Sequence, residues 1–150
     1  MGGNRWISIK YWNMHKNRVY VRIAAAMGAL AVILGAFGAH FLEDVLKPEQ
    51  LSAFQTGVSY QFYHVFALFV VGLLYKRYHN ENLRKAAQFF IMGTVVFSGS
   101  LYVSTALKAS GMEGLGKLSF VTPIGGLMLI VGWIYLLIGV PANRSDSDGD

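Results

Sequence analysis

The side chains best suited to chemistry in this chain lie in residues 54–64, where a polar loop meets an apolar run. At about 100° per residue, Tyr60, Gln61 and His64 fall on one face of a helix. An imidazole titrates near neutral pH and also ligates haem and metal ions, so this face could transfer protons or hold a cofactor. Three aromatic residues occupy the opposite face: Phe62, Phe66 and Phe69. The pattern predicts a polar face that meets protein and an aromatic face that meets lipid.

The composition places this segment in a membrane protein. Of the 150 residues, 54% are hydrophobic and only 14% are charged. The mean hydropathy of +0.42 is too apolar for an ordinary soluble domain. The absence of cysteine excludes disulfides, thiolate metal ligands and a thiol nucleophile. Four apolar runs approach or exceed the length that spans a bilayer: residues 23–42, 58–75, 86–107 and 118–140. We therefore predict an all-α integral membrane bundle of four transmembrane helices.

The segments that flank this domain are polar. Residues 1–22 interleave basic and aromatic side chains, which is typical of the cytoplasmic headgroup layer rather than of a nucleic-acid partner. Residues 141–150 are predicted to be a disordered acidic tail. A basic start before an apolar run also resembles a signal peptide, but we expect this run to be retained as the first helix. Pro48 suits a first helical position, so a short interfacial helix is expected before the second span.

The distribution of lysine and arginine predicts the topology. If the N-terminus is inside, the cytoplasmic segments carry five basic residues before the first helix, four in the second loop and one in the tail. The external loops then carry three: Lys47, Lys108 and Lys117. Cytoplasmic loops normally carry the excess of lysine and arginine. We therefore expect a bacterial inner membrane protein with both termini on the cytoplasmic side.

This orientation brings polar residues of all four predicted helices to one depth, in the outer half of the bundle. Polar side chains inside a membrane face protein or water rather than lipid. We therefore predict a shared polar centre of nine residues: His40, Glu43, Tyr60, Gln61, His64, Ser98, Ser100, Tyr102 and Thr122.

Glycines recur at helical spacing and predict close helix packing. In the first run small residues follow one another at spacings of four and three, and in the fourth run glycines recur every seven residues. Small residues let helix backbones approach in lipid, where apolar burial alone gives no drive to associate. Seven glycines are predicted to lie at helix contacts: Gly28, Gly35, Gly38, Gly93, Gly125, Gly132 and Gly139.

Four motifs occur in order: GAFGAH at 35–40, FQTGVSYQFYH at 54–64, FSGSLY at 97–102 and TPIGG at 122–126. With these motifs the chain resembles the small membrane proteins grouped as domain of unknown function 423, which include eukaryotic transmembrane protein 256. The resemblance covers residues 23–140 and implies a four-helix integral membrane protein. It implies no established activity, substrate or cofactor.

The polar residues leave several chemical interpretations open. His40 and His64 could ligate haem or a metal ion, although only Glu43 offers a third ligand. The favoured interpretation is that both histidines form hydrogen bonds within the bundle. Ser98 and Ser100 near a histidine suggest a hydrolase, yet nothing supplies a strained nucleophile turn or an orienting carboxylate. We therefore expect no catalytic residue, no metal site and no cofactor.

Three classes of function follow from these alternatives. The favoured class is a structural or interaction component of the membrane, without enzymatic activity. Its expected partners are the lipid bilayer and either another membrane protein or further copies of this chain. The alternative is an oligomeric transporter or channel for ions or small solutes, in which the polar centre lines the route. A haem-binding or metal-binding membrane protein is the third class.

Overall fold

Four long helices make up the described structure. The computed structural model describes the backbone of residues 3–111 and 120–141, with side chains from residue 18 onward. Its helices are α1 (Gly3–Phe37), α2 (Pro48–Tyr78), α3 (Glu81–Ala109) and α4 (Val121–Gly139), with no strand in those residues. The predicted all-α fold of four helices is confirmed. The tail at 142–150, most of the loop after α3 and the side chains of residues 1–17 lie outside the described residues.

Each helix contains a candidate membrane span, by length and by composition. Helix α1 begins at Gly3, well before the apolar run at 23–42, because residues 3–22 contain no proline and the lysines and arginines among them favour helix. Helix α2 has 31 residues, about 46 Å, which exceeds the hydrocarbon thickness of about 30 Å. The segment expected as a short interfacial helix forms the first turns of α2 and continues through Gly57 without a break.

The connection between α1 and α2 is short and tightly hydrogen-bonded. Helix α1 continues into one π-helical turn, Gly38–Leu42. The backbone N–H of Lys47 donates to Gln50 Oε1 at 2.9 Å. Pro48 occupies the first turn of α2, where its missing N–H would have no helical partner. These contacts fix where α2 begins.

Asn80 joins the α2–α3 connection to the end of α4. Helix α2 ends at Tyr78 and is capped by His79, whose φ of 48° lies in the left-handed region. Asn80 Oδ1 accepts from the backbone N–H of Asn82 at 2.8 Å, which caps α3. Its Nδ2 donates to the carbonyl of Gly139 at 3.2 Å. One side chain therefore holds the start of α3 and the end of α4 at the same level.

The helices pack side by side in chain order, α1 on α2, α2 on α3 and α3 on α4. Helices α2 and α3 are central, since 44% and 33% of their most apolar windows are buried, against 17% for α1 and α4. Tyr20 of α1 meets Tyr75 of α2 edge to face at 5.7 Å. We call this end of the bundle the basic end, because most of the described cations cluster there: Arg18, Arg22, Lys76, Arg77, Arg84 and Lys85.

The glycines predicted to pack helices fall at two interfaces. Three meet α2 from the α1 side and four lie between α3 and α4: Gly28, Gly35 and Gly38, and then Gly93, Gly125, Gly132 and Gly139. A β-carbon on Gly28 would lie 3.3 Å from Val65 Cγ1, a side-chain atom. A β-carbon on Gly125 would lie 2.5 Å from the backbone nitrogen of Phe97. Helices α3 and α4 are therefore in backbone contact.

Candidate functional site: an interhelical polar centre

Gln61 of α2 connects three helices. Its side chain is 4% exposed. The amide Nε2 donates to the carbonyl of Met27 on α1 at 2.7 Å, and Oε1 accepts from the hydroxyl of Tyr102 on α3 at 2.9 Å. A buried amide without these partners would cost about 1–3 kcal/mol. The packing of α1 and α3 against α2 therefore gives the buried amide of Gln61 a partner for its nitrogen and a partner for its oxygen.

His64 lies one turn further along α2 and connects it to α4. The indole Nε1–H of Trp133 donates to His64 Nε2 at 3.2 Å. An indole nitrogen only donates, so Nε2 must accept and the imidazole proton must lie on Nδ1. Nδ1 then donates to the carbonyl of Tyr60 at 2.7 Å. This network selects one neutral tautomer, in which both ring nitrogens are occupied by partners from the chain.

Aromatic rings surround this imidazole. The ring centroids of Phe90, Trp133 and Tyr60 lie 5.7, 6.1 and 6.1 Å from that of His64. Tyr60 itself stacks on Phe97 at 4.6 Å, and its own side chain is 41% exposed. Tyr60 therefore contributes its carbonyl and its ring to the centre, while its hydroxyl forms no hydrogen bond with any described residue. Packed rings around a buried polar group exclude water and strengthen its hydrogen bonds.

A second pair of hydroxyls connects α3 to α4. Ser100 Oγ donates to the carbonyl of Phe97 at 2.8 Å and lies 2.7 Å from Thr122 Oγ1. A hydroxyl has one proton, so Thr122 must donate to Ser100 when Ser100 donates to Phe97. In this chain of two hydrogen bonds the Ser100 hydroxyl is paired with its own helix and with α4. A serine–histidine pair of the kind that activates a nucleophile is not formed by Ser100.

Two buried hydroxyls on α3 have no hydrogen-bond partner among the described residues. Thr94 and Ser98 are 2% and 1% exposed, and their oxygens are inaccessible. They lie one turn apart on the same face of α3. Ser98 is a predicted member of the polar centre, whereas Thr94 was not singled out.

His40 and Glu43 require a correction, because the structure does not bring them to this centre. Both are exposed and make no hydrogen bond within the described part of the chain. The reason is the orientation of the π-helical turn. Gly38 faces α2, where a β-carbon would lie 2.9 Å from the ring of Phe54. His40 follows two residues later and so lies on the far side of the turn.

Sequence reasoning missed two partners of the centre, Trp133 and the carbonyl of Met27. A tryptophan in the middle of an apolar run carries an N–H that usually finds an acceptor, which was the available signal. The identity of that acceptor depends on how α4 lies against α2. Among the described residues, no group of three histidine, aspartate or glutamate side chains converges as a metal site would require.

The fold and the site define the class of this protein: an all-helical multi-pass membrane protein in which one polar centre connects the helices. The profile described as "Protein of unknown function (DUF423)" matches residues 34–126. The chain belongs to this family. The matched part contains Gln61 and His64 and ends before Trp133.

Named bacterial membrane proteins are similar over most of the chain. A UPF0382 membrane protein of Haemophilus influenzae is 38% identical over 87% of this chain and 98% of its own length. The UPF0382 membrane protein YwdK of Bacillus subtilis is 36% identical over 81% and 94%. The UPF0382 inner membrane protein YgdD of Escherichia coli is 34% identical over 82% and 89%. No solved structure matches this chain.

Proposed function

We propose that this protein is a structural or interaction component of the bacterial inner membrane, and that its polar centre holds the four helices together. The observation that carries this proposal is the occupancy of His64: Tyr60 and Trp133 take up both ring nitrogens. A ligated metal or haem would need one of those nitrogens, and a general base would need a free acceptor. In this proposal the centre has no catalytic role.

The weakly buried outer helices support an interaction role. Only 17% of the most apolar window of α1 and of α4 is buried, although both helices are apolar throughout those windows. Several large side chains on them are more than half exposed: Val32, Ile33, Ile124, Leu127 and Leu137. Those faces meet lipid, a second copy or another membrane protein. A bundle that uses its polar residues internally and leaves its outer faces open is suited to association.

The proposed orientation places both termini in the cytoplasm. It is supported by the basic end of the bundle, which the excess of lysine and arginine assigns to the inside. A reporter that is active only outside the membrane should work when fused after Lys47 and fail when fused after Arg77. Activity after Arg77 would reverse the orientation.

The structural role of the centre is tested with His64 variants of the full chain in mild detergent. We expect native mass spectrometry of the wild type to show neither stoichiometric metal nor haem. His64→Gln should melt above His64→Leu, because glutamine keeps a donor and an acceptor for its neighbours. A bound metal or haem in the wild type that both variants lose would contradict the proposal.

A second candidate function, an oligomeric transporter or channel, is favoured by the two unpaired hydroxyls of α3. Thr94 and Ser98 present oxygens inside the bundle that hydrogen-bond with no described residue. Polar groups with free hydrogen-bonding capacity inside a membrane often mark a solute route. Proteoliposome flux assays with Ser98→Ala test this function. Flux in the wild type that falls in the variant, with the melting temperature unchanged, would favour transport over a purely structural role.

A further inference from the structure

An apolar groove runs along the contact between α1 and α2, on the outside of the bundle. Its volume is about 280 Å³ and every side chain that lines it is apolar. The α1 wall is low because it consists of small residues, including Ala25, Gly28 and Ala29. The α2 wall is high because phenylalanine rings project from it: Phe62, Phe66 and Phe69. The groove follows the helices for about 12 Å, from Val32 toward the basic end.

Three cations lie beyond the end of the groove that faces the basic end. Arg18 and Arg22 precede Ala25 by seven and three residues, so they lie on the α1 face that lines the groove. Lys76 follows Phe69 by seven residues and lies on the corresponding face of α2. All three residues are exposed. The contact between the two helices through Tyr20 and Tyr75 sets the cations of α1 and α2 at a similar level.

These cations have no acidic partner in the described part of the chain. The carboxylate of Glu81, on α3, forms an ion pair with Arg84 of the same helix. The other described carboxylates lie toward the opposite end of the bundle: Glu43, Asp44 and Glu49. The three carboxylates therefore lie at the far end of the bundle, and the groove runs toward the basic end. This asymmetry complements an amphipathic ligand with one anionic head.

We propose that this groove binds an anionic phospholipid, with an acyl chain between α1 and α2 and the phosphate beside Arg18, Arg22 and Lys76. Small-residue and aromatic walls accept a flexible chain, and arginine is suited to phosphate. Clusters of cations directly at the cytoplasmic ends of spans attract anionic headgroups. The inference rests on the proposed interaction role, for which it names a partner.

Charge favours a lipid over a second copy of the chain at this position. Two copies that met in parallel across the groove would bring the arginines of one copy close to those of the other. Like charges brought together at an interface disfavour association. An anionic lipid instead neutralises the positive charge of these side chains.

The test measures phosphatidylglycerol and phosphatidylcholine bound to the full chain by native mass spectrometry, after titration in mild detergent. We expect phosphatidylglycerol to bind more tightly. Arg22→Gln should weaken its binding about fivefold and leave phosphatidylcholine unchanged. Lys85→Gln is the matched control, since it removes a cation at the same end but on α3, where Lys85 lies over the ring of Tyr135. It should have little effect.

A second variant tests the groove itself. Ala29 is exposed, so Ala29→Phe should fold normally, which its melting temperature checks, while its ring occupies the path of the acyl chain. We expect this variant to lose the selective binding of phosphatidylglycerol.

Three outcomes would overturn the lipid site. Equal losses in Arg22→Gln and Lys85→Gln would mean diffuse attraction to the basic end. Unchanged binding in Ala29→Phe would place the lipid elsewhere. A dimer that Ala29→Phe abolishes, without any lipid preference, would mean that a second copy occupies the groove. None of these results involves His64, so a failure of the lipid site is distinguishable from a failure of the proposed structural role.

Discussion

The two halves of the bundle use glycine in different ways. Between α3 and α4, a β-carbon on Gly125 would lie 2.7 Å from the α-carbon of Phe97, so backbone lies against backbone. Between α1 and α2, the nearest atom to a β-carbon on Gly35 is Val58 Cγ1 at 3.4 Å. That is an ordinary side-chain contact. The main chains of α3 and α4 are in contact at Gly125, whereas α1 contacts α2 at Gly35 through side chains.

This difference explains where open space remains. Backbone contact brings α3 and α4 close together at Gly125, and α4 adds hydrogen bonds through Thr122 and Trp133. Side-chain contact leaves the groove along α1, and a second cavity of about 270 Å³ lies beside Gly35 and Gly38. Between α1 and α2 the described hydrogen bond is that of Gln61 to the carbonyl of Met27. We infer that α3 and α4 form the rigid half of the bundle and that α1 is the helix most easily displaced.

The largest expected effect is that of Gly125→Ala. The added methyl group would meet the main chain of Phe97, which cannot rotate away, so the helices must separate. Overpacking of this kind costs about 1–3 kcal/mol, and we expect the upper end. Thermal unfolding in detergent measures it.

Gly126→Ala is the matched control for that prediction. Its β-carbon would lie 3.7 Å from the ring of Phe97, an ordinary contact, and alanine favours helix over glycine by about 1 kcal/mol. Its melting temperature should equal or exceed that of the wild type. Similar losses in both variants would remove the distinction between backbone contact and side-chain contact.

The second effect is that of Gln61→Leu, which tests the half held by side chains. The change removes hydrogen bonds to Met27 and Tyr102 and leaves the tyrosine hydroxyl without its acceptor. We expect a loss of about 1–3 kcal/mol, toward the low end because partners in a membrane find other bonds. Tyr102→Phe removes one of the two bonds and should cost about half as much. A Tyr102→Phe variant that melts below Gln61→Leu would show that the bond to α1 contributes nothing.

The sequence alone predicts some of these features and not others. Hydropathy was enough to predict the four spans, because each apolar run, as a helix, is about as long as the bilayer is thick. The spacing of glycines predicts packed faces, since positions three, four or seven apart share one side of a helix. It did not distinguish the two interfaces. Whether Gly125 meets a main chain or a side chain depends on the distance between helices, and periodicity does not encode that distance.

The shared polar centre was predicted from the depth of polar residues in four helices, and depth does not say which of them bond to one another. Gln61 and His64 share a face of α2, so their joint burial followed from periodicity. The donor to His64 did not, because Trp133 is 69 residues away and reaches it only if α4 packs beside the central pair. His40 was misplaced for a related reason. Its depth was read correctly as the end of the first helix, but its direction was set by the π-helical turn.

The third effect, that of Trp133→Phe, tests how much the hydrogen bond from α4 to His64 stabilises the bundle. Phenylalanine keeps an aromatic ring next to Phe90, whose centroid lies 5.2 Å from that of the indole, but it cannot donate to His64. Interhelical hydrogen bonds in membrane proteins average about 0.6 kcal/mol, so the loss should be of that size. A double-mutant cycle with His64→Leu should return a coupling of about the same size. Zero coupling would mean that the contact at 3.2 Å does not stabilise the bundle.

The smallest effect is expected for Gly35→Ala, and its sign tests the comparison most directly. Its β-carbon would meet Val58 at 3.4 Å without displacing any main chain. Alanine also stabilises the helix by about 1 kcal/mol relative to glycine. The two contributions should leave the melting temperature unchanged or slightly raised, whereas Gly125→Ala lowers it. If Gly35→Ala destabilises the protein as much as Gly125→Ala does, then α1 packs on α2 as closely as α4 packs on α3. The groove would then be too shallow to hold an acyl chain.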